Sequence, residues 1–299
     1  MKKVQHISTS ISKSSAGERE TTGYDVVFLS LAQNCAATIE NLFSTMDCLG
    51  ANGIICAAFV GENGSEDTTR EIIKKASTTR AVTLVDTSFA DAVSSRLEKM
   101  ARLREFLREV ALDCVRRSRF VCVVDVDSVL QAPLDVDSIN AVLDRLACSN
   151  KLYAVSATSF PWYYDLLAYK SDSLSFEHLE SEIKDHQTDL VTYYRFHKTN
   201  IFPYQMKLTK VGEHLCASAF NGLCFYRSAD YEVGSYLRDN NFCACEHLAF
   251  NKVLSSISNR QMLVSLDIAF ATPPEHEFSS PLRFYWQRFR RRVREKLDR

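Results

Sequence analysis

The N-terminal segment MKKVQHISTSISKSSAGERE has no apolar stretch of the kind an export signal needs. Nowhere in the chain do about 18 apolar residues run together, as a bilayer span requires. These absences predict a protein on the cytoplasmic side with reduced thiols. Glycine and proline are scarce, 9 and 6 in 299 residues, which excludes collagen-like and low-complexity character. Charge of one sign does not accumulate overall: 36 Lys and Arg stand against 37 Asp and Glu. With a net charge of −1, the whole chain makes no electrostatic case for nucleic acid. Ten cysteines are present, but Cys56, Cys122, Cys216 and Cys224 sit inside apolar runs, where a thiol behaves as a small hydrophobe. Cys243 and Cys245 are the one close pair. Without a second pair and a histidine at finger spacing they make a weak zinc site, and a structural strand edge is expected.

What is present suits one large α/β domain. Hydrophobic residues make up 46% and charged residues 24%, enough for a sizeable core. Residues 1–22 are polar, Ser/Thr-rich and expected to be disordered. Continuous apolar runs at Asp25–Leu31, Gly53–Val60, Ala81–Val85 and Phe120–Val124 read as buried parallel strands. Between them, 3.6-residue periodicity predicts helices over Ala36–Leu49, Thr68–Ala76 and Ser94–Val115, with another over Ser138–Leu146. This alternation predicts a doubly wound, mostly parallel sheet flanked by helices. Beyond residue 150 the pattern loosens. Strands are expected at Tyr153–Ser156, Phe220–Tyr226 and Met262–Phe270, a short helix at Glu246–Leu254, and at best helix over the charged Ser171–Asp189. The expected division is a nucleotide-binding half over 23–150 and an acceptor half over 151–280.

The strand Phe120–Val124 ends in Asp125-Val126-Asp127. Ligands of open α/β sheets bind in the crevice at the strand ends, so two carboxylates there face the likeliest ligand position in the fold. Close carboxylates repel unless a cation neutralises them, and Mg²⁺ or Mn²⁺ suits oxygen ligands. Such an ion would hold a diphosphate, which makes Asp125 and Asp127 candidate metal ligands, Asp125 a nucleotide contact and Asp127 a catalytic residue. An isolated Asp-x-Asp is common, and its plain alternative is a polar strand end.

The order of motifs resembles the GT-A superfamily of nucleotide-sugar glycosyltransferases. The first strand closes at Ala32-Gln33-Asn34, the second opens into Glu62-Asn63-Gly64-Ser65-Glu66-Asp67-Thr68, an arginine-rich helix carries Arg102 and Arg104, and the Asp-x-Asp strand follows. The resemblance implies a GT-A (Rossmann-like) fold and a nucleotide-sugar site formed by Asn34, Glu62, Arg102, Arg104 and Asp125. Asp67 is expected to cap the helix that follows it. Glu62 and Asn63 replace the family's usual acids. Glu246, at the start of a helix, implies the general base of an inverting member, or a hydroxyl-binding acid in a retaining one. His276 implies a third metal ligand from a C-terminal loop. Phe160-Pro161-Trp162-Tyr163-Tyr164-Asp165, Phe220-Asn221-Gly222 and Cys245-Glu246-His247 are similar to segments of fungal capsule-associated α-1,3-mannosyltransferases, over roughly residues 24–255. This places Trp162, Tyr164 and Asp165 at an acceptor subsite and mannose among the candidate sugars. Each residue also has a plain use: arginines as solvated helix charges, aromatics as core, Glu246 as an N-terminal helix charge.

The C-terminal tail differs from the rest. From Arg283 to Arg299, eight basic residues meet two acids, a local charge of +6 that leaves −7 on the remainder. Leu282, Tyr285, Phe289, Val293 and Leu297 fall at helical spacing. Residues 281–299 are therefore expected to form a basic amphipathic helix, lying on a membrane surface or docked on its own domain. The combined expectation is a metal-dependent hexosyltransferase that uses a nucleotide-sugar donor and a glycan or lipid-linked acceptor, with peripheral membrane contact through 282–299. A nucleotidyltransferase is disfavoured because Leu31–Cys35 lacks glycine and basic residues; a non-catalytic scaffold is the other alternative.

Overall fold

The computed structural model describes residues 23–127, 129–187, 189–237, 245–273, 276, 280–286, 288 and 289. The disorder expected for 1–22 lies outside these residues, as do Cys243, Arg290–Arg292, Val293 and Leu297. The first half alternates as its periodicity predicts: β1 (Val26–Ala32), α1 (Ile39–Ala51), β2 (Cys56–Glu62), α2 (Thr69–Ser77), β3 (Val82–Asp86), α3 (Arg96–Arg116), β4 (Phe120–Val124) and α4 (Val136–Cys148). The second half contains β5 (Leu152–Phe160), α5 (Leu179–His186), α6 (Leu190–Asn200), α7 (Phe202–Val211), β6 (His214–Cys216), β7 (Leu223–Arg227), α8 (Ser228–Glu232), α9 (Glu246–Ser258) and β8 (Gln261–Ala271). Residues 281–286 and 288–289 are helical.

One eight-stranded sheet runs through both halves in the order β3-β2-β1-β4-β7-β5-β8-β6. β3, β2, β1 and β4 pair in parallel, and so do β5 and β8. β7 lies antiparallel between β4 and β5, and β6 is antiparallel to β8. The chain leaves β1 in one direction to β2 and β3, and β4 takes the opposite side of β1. A crevice therefore opens at the carboxyl ends of β1 and β4, where such sheets bind ligands.

Alternate residues of the buried strands fill two cores. Val27, Leu29, Val121 and Val123 meet Ala101, Leu107, Ala111 and Val115 of α3, with Phe250 and Leu254 of α9 in the same cluster. Val26, Phe28, Cys122 and Val124 meet Ile39, Leu42, Phe43, Met46 and Leu49 of α1 and Ile139, Val142 and Leu146 of α4. Each such side chain, fully removed from water, contributes about 1.5–3 kcal/mol. The cysteines follow this logic. All those among the described residues are free, and burial pushes Cys56 and Cys216 up to about 12. Cys245 is the N-cap of α9 rather than a strand edge.

Two departures have clear causes. β5 continues past Ser156 to Phe160 because its buried hydroxyls find partners: Ser156 donates to the Phe220 carbonyl at 2.8 Å, and Ser159 to the Trp162 carbonyl at 2.6 Å. Segments α6 and α7 are rich in aromatic and β-branched residues and carry little helix propensity. Their starts are set instead by Asp189, which accepts the N–H groups of Val191 and Thr192 at 2.8 and 3.1 Å, and by Pro203 in the first turn of α7.

Candidate active site

The site is organised by one arginine. Helix α3 turns Leu97, Ala101, Leu107, Ala111 and Val115 toward the sheet, and Arg104 lies on that stripe. Arg104 is only 5% exposed. Its Nη2 donates to Asp125 Oδ1 at 2.9 Å and its Nε to Glu246 Oε1 at 3.0 Å. Its guanidinium lies 5.3 Å from the centre of the Phe220 ring. One cation on α3 thus ties the end of β4 to the start of α9, with Glu246 142 residues from Arg104 in sequence. Arg102 points the other way, pairing with Glu98 one turn back at 2.8 Å on the exposed face. Between the two expected arginines, the structure brings Arg104 into the site and leaves Arg102 outside it.

Asp125 is fixed from a second side, because its N–H donates to the Gly222 carbonyl at 2.8 Å. Burial, with Asp127 and Glu246 nearby, raises its carboxyl to about 7 despite the opposing pull of Arg104. Asp127 is exposed and accepts the Val129 N–H at 3.3 Å. The loop after β4 is tied to the start of α1, since the Thr38 hydroxyl donates to the Val126 carbonyl and Asn41 Nδ2 to the Leu130 carbonyl at 2.9 Å. The negative charges of Asp125 and Asp127 help push Cys35 up to about 11, behind burial as the main cause, so the β1–α1 loop faces both carboxylates.

The loops after β1 and β2 form a lattice of their own. Asn34, at φ 54°, donates its N–H to Ser65 Oγ at 3.0 Å and accepts the Glu66 N–H at 2.9 Å. Asp67 accepts the Thr69 N–H at 3.0 Å and the Ala36 N–H at 3.1 Å; it stands one residue before Thr68, the N-cap of α2, and not at the cap expected of it. Glu62 is fully buried and bound to Arg70 at 2.6 Å, and it also accepts the Ser65 N–H. This runs against its expected nucleotide contact. The carboxylate is spent holding the turn, because an acid in a fully buried position needs a cation and donors of its own.

On the other side, Asp165 accepts the Asn221 N–H at 3.2 Å and the Ala168 N–H at 3.3 Å. Burial raises it to about 6, with Glu246 adding and Arg104 opposing. Tyr164 lies in the field of Asp125, Asp165 and Asp127, and its ring stacks on His276 at 4.9 Å. Its hydroxyl passes over Gly222, where an added Cβ would approach it to 2.7 Å. Trp162 is half-buried, with its N–H donating to Thr272 Oγ1 at 3.0 Å. Among the described residues no three acidic, His or Cys side chains form a metal-holding cluster, so His276 does not complete one with Asp125 and Asp127. Phe220, Asn221 and Gly222 were read from sequence only as a strand and a similarity. Their part in seating Asp125 and Asp165 is signalled by an Asn-Gly pair, both in left-handed backbone, at φ 52° and 83°.

The C-terminal helix is docked on its own domain through a residue off the expected stripe. Phe284 is fully buried, with its ring centre 5.5 Å from Tyr193, 5.2 Å from Tyr194 and 5.2 Å from His197 on α6. Leu282, Trp286 and Phe289 remain exposed on another face.

No protein-family model matches the chain, and no curated protein sequence matches it. Among solved structures it is similar to glucosyl-3-phosphoglycerate synthase from Mycobacterium tuberculosis in complex with Mn²⁺, UDP and phosphoglyceric acid, at 12% identity over 84% of this chain and 70% of that one, with a TM-score of 0.44. The same enzyme in complex with Mg²⁺ and UDP gives 12% identity over 84% and 70%, with a TM-score of 0.43. Mannosyl-3-phosphoglycerate synthase from Rubrobacter xylanophilus gives 12% identity over 91% and 75%, with a TM-score of 0.45.

Proposed function

We propose that the chain is a metal-dependent glycosyltransferase of the GT-A type, moving a hexose from a nucleotide-diphosphate sugar to a hydroxyl acceptor. The observation that carries this reading is Arg104, buried at the sheet's crevice and bonded to both Asp125 and Glu246. A buried cation between two carboxylates, at the carboxyl end of β4, is a pre-set field for a departing diphosphate. The donor set fits Mg²⁺ or Mn²⁺: Asp125 and Asp127 supply hard oxygen ligands, and such ions commonly take one or two carboxylates plus phosphate oxygens and water. When bound, the ion would draw off charge from the diphosphate. Arg104 keeps the Asp125 carboxylate oriented and adds positive charge from behind. The β1–α1 loop and the turn ordered by Glu62 wall the nucleotide side, and Trp162, Tyr164 and Asp165 stand on the acceptor side.

Mannose remains one candidate hexose, and a glycan or lipid-linked molecule the acceptor. The exposed Leu282, Trp286 and Phe289, followed by the basic sequence 290–299, support peripheral contact with an anionic membrane. The test is Mn²⁺-dependent release of nucleoside diphosphate from UDP-, GDP- and dTDP-sugars. The reading expects release from one class, abolished in Asp127→Ala; release that survives this substitution would overturn it.

A further inference from the structure

A sugar-transfer centre must take a proton from the attacking hydroxyl, and besides Asp125 and Asp127 two further carboxylates, Glu246 and Asp165, lie in the field of Arg104. Glu246 is 8% exposed, with Oε1 held by Arg104 at 3.0 Å and Oε2 facing the Cys245 thiol at 3.6 Å. Its Oε1 is committed to the arginine, and a proton taken there would weaken the link between α9 and Arg104. Asp165 is held differently. Its oxygens accept only backbone N–H groups in the hydrogen bonds found, from Ala168 and Asn221, and it forms no ion pair among the described residues. The turn that seats it also seats Asp125: Asn221 donates to Asp165, and the next residue, Gly222, accepts from Asp125. Asp165 and Asp125 are thus fixed to adjacent residues of one turn, with Tyr164 in the field of both.

Resting on the glycosyltransferase reading, we propose that Asp165 is the general base and Glu246 a positioning residue acting through Arg104. The acceptor hydroxyl gives its proton to the Asp165 carboxylate as its oxygen bonds to the anomeric carbon. The bond from that carbon to the diphosphate oxygen breaks, and the diphosphate leaves with the electron pair. Configuration at the anomeric carbon inverts. The proton then passes from Asp165 to solvent. The groups that set the basicity of Asp165 lie on the elements around it: Arg104 on α3, and Glu246 with the Cys245 thiol at the start of α9. One acid is bound to a buried arginine and the other meets only backbone N–H groups, which divides a positioning acid from one able to take a proton.

The experiment measures Mn²⁺-supported hydrolysis of UDP-glucose and GDP-mannose from pH 5 to 8, with water as acceptor, alongside binding of Mn²⁺–UDP and Mn²⁺–GDP. The expected wild-type rate rises through about pH 6 to a plateau. Asp165→Asn is expected to lower it by about 10²–10⁴-fold, with nucleotide binding retained. Added formate should restore part of the rate in Asp165→Ala, a rescue that loss of a structural contact would not give. A variant as fast as wild type, or a product with retained configuration, would overturn the assignment while leaving the donor site standing. A wild-type protein that binds neither nucleotide would overturn the glycosyltransferase reading, and this inference with it.

Discussion

Arg104→Ala tests the organising contact. The substitution removes a guanidinium that is 5% exposed and leaves Asp125 and Glu246 without their shared cation. Removing one partner of a buried ion pair costs about 3–5 kcal/mol, because the remaining charge is desolvated and unpaired. For a chain of this size that is a fall in Tm of about 6–20 °C. The sign with pH follows from the charges left behind. Without the arginine, the Asp125 carboxyl is raised further above its unfolded value. The folded state then holds protons that the unfolded state has shed, so stability is fully present below the unfolded pKa and is lost as pH rises through the folded one. The Tm deficit should therefore be largest at pH 8 and shrink on acidification toward pH 5. The assay is thermal unfolding of wild type and variant across that range. Arg102→Ala is the control: its pairing with Glu98 is exposed and worth about 0.5 kcal/mol or less. An Arg104→Ala protein within 2 °C of wild type at pH 8, by this order-of-magnitude scale, would refute the buried bridge.

Further outcomes follow from neighbouring residues. Asp125, ordinarily at 3.8, sits at about 7 in the fold, so it costs stability increasingly between these values and fully above the higher one. In metal-free buffer, Asp125→Asn loses a contact with Arg104, but its stability relative to wild type should improve as pH rises from about 4 to 7, as denaturant titration across that range would show. Gly222→Ala should destabilise by about 2 kcal/mol or more, since φ is 83° and the added Cβ would lie 2.7 Å from both the Tyr164 hydroxyl and Val129 Cγ1; a neutral effect in the same titration would contradict the close approach. Leu282, Trp286 and Phe289 replaced together by serine should leave Tm within about 2 °C, the scale of a surface change, but abolish sedimentation with phosphatidylserine vesicles, and retained sedimentation would reject the membrane contact.

The first half was legible because its strands are buried on both faces and its helices carry one apolar stripe. Every strand from β1 to β4 falls within a few residues of its apolar run. The same periodicity separates the two arginines: 97, 101, 104, 108, 111 and 115 advance by alternating steps of four and three, and 102 falls off that line. Legibility failed where tertiary contacts, not local pattern, decide. Nothing local marks Glu62 as internally satisfied, because its partner Arg70 lies on the next helix. Helices α6 and α7 are held by caps and by aromatic packing that includes Phe284 from the far end of the chain. Asp165 reads as one polar residue in an aromatic run. Only the turn at Asn221 and Gly222, bonded to Asp165 at one residue and to Asp125 at the next, ties it to the site.

The most direct test of the central claim is the thermal shift of the whole chain with UDP, GDP and dTDP, each with and without Mn²⁺, in wild type and Asp127→Ala. The account predicts that one nucleotide raises Tm only with metal, by about 2.7 kcal/mol of stabilisation at a hundredfold excess over Kd, and that the shift disappears in Asp127→Ala. No shift with any nucleotide, or an equal shift in the variant, would contradict it.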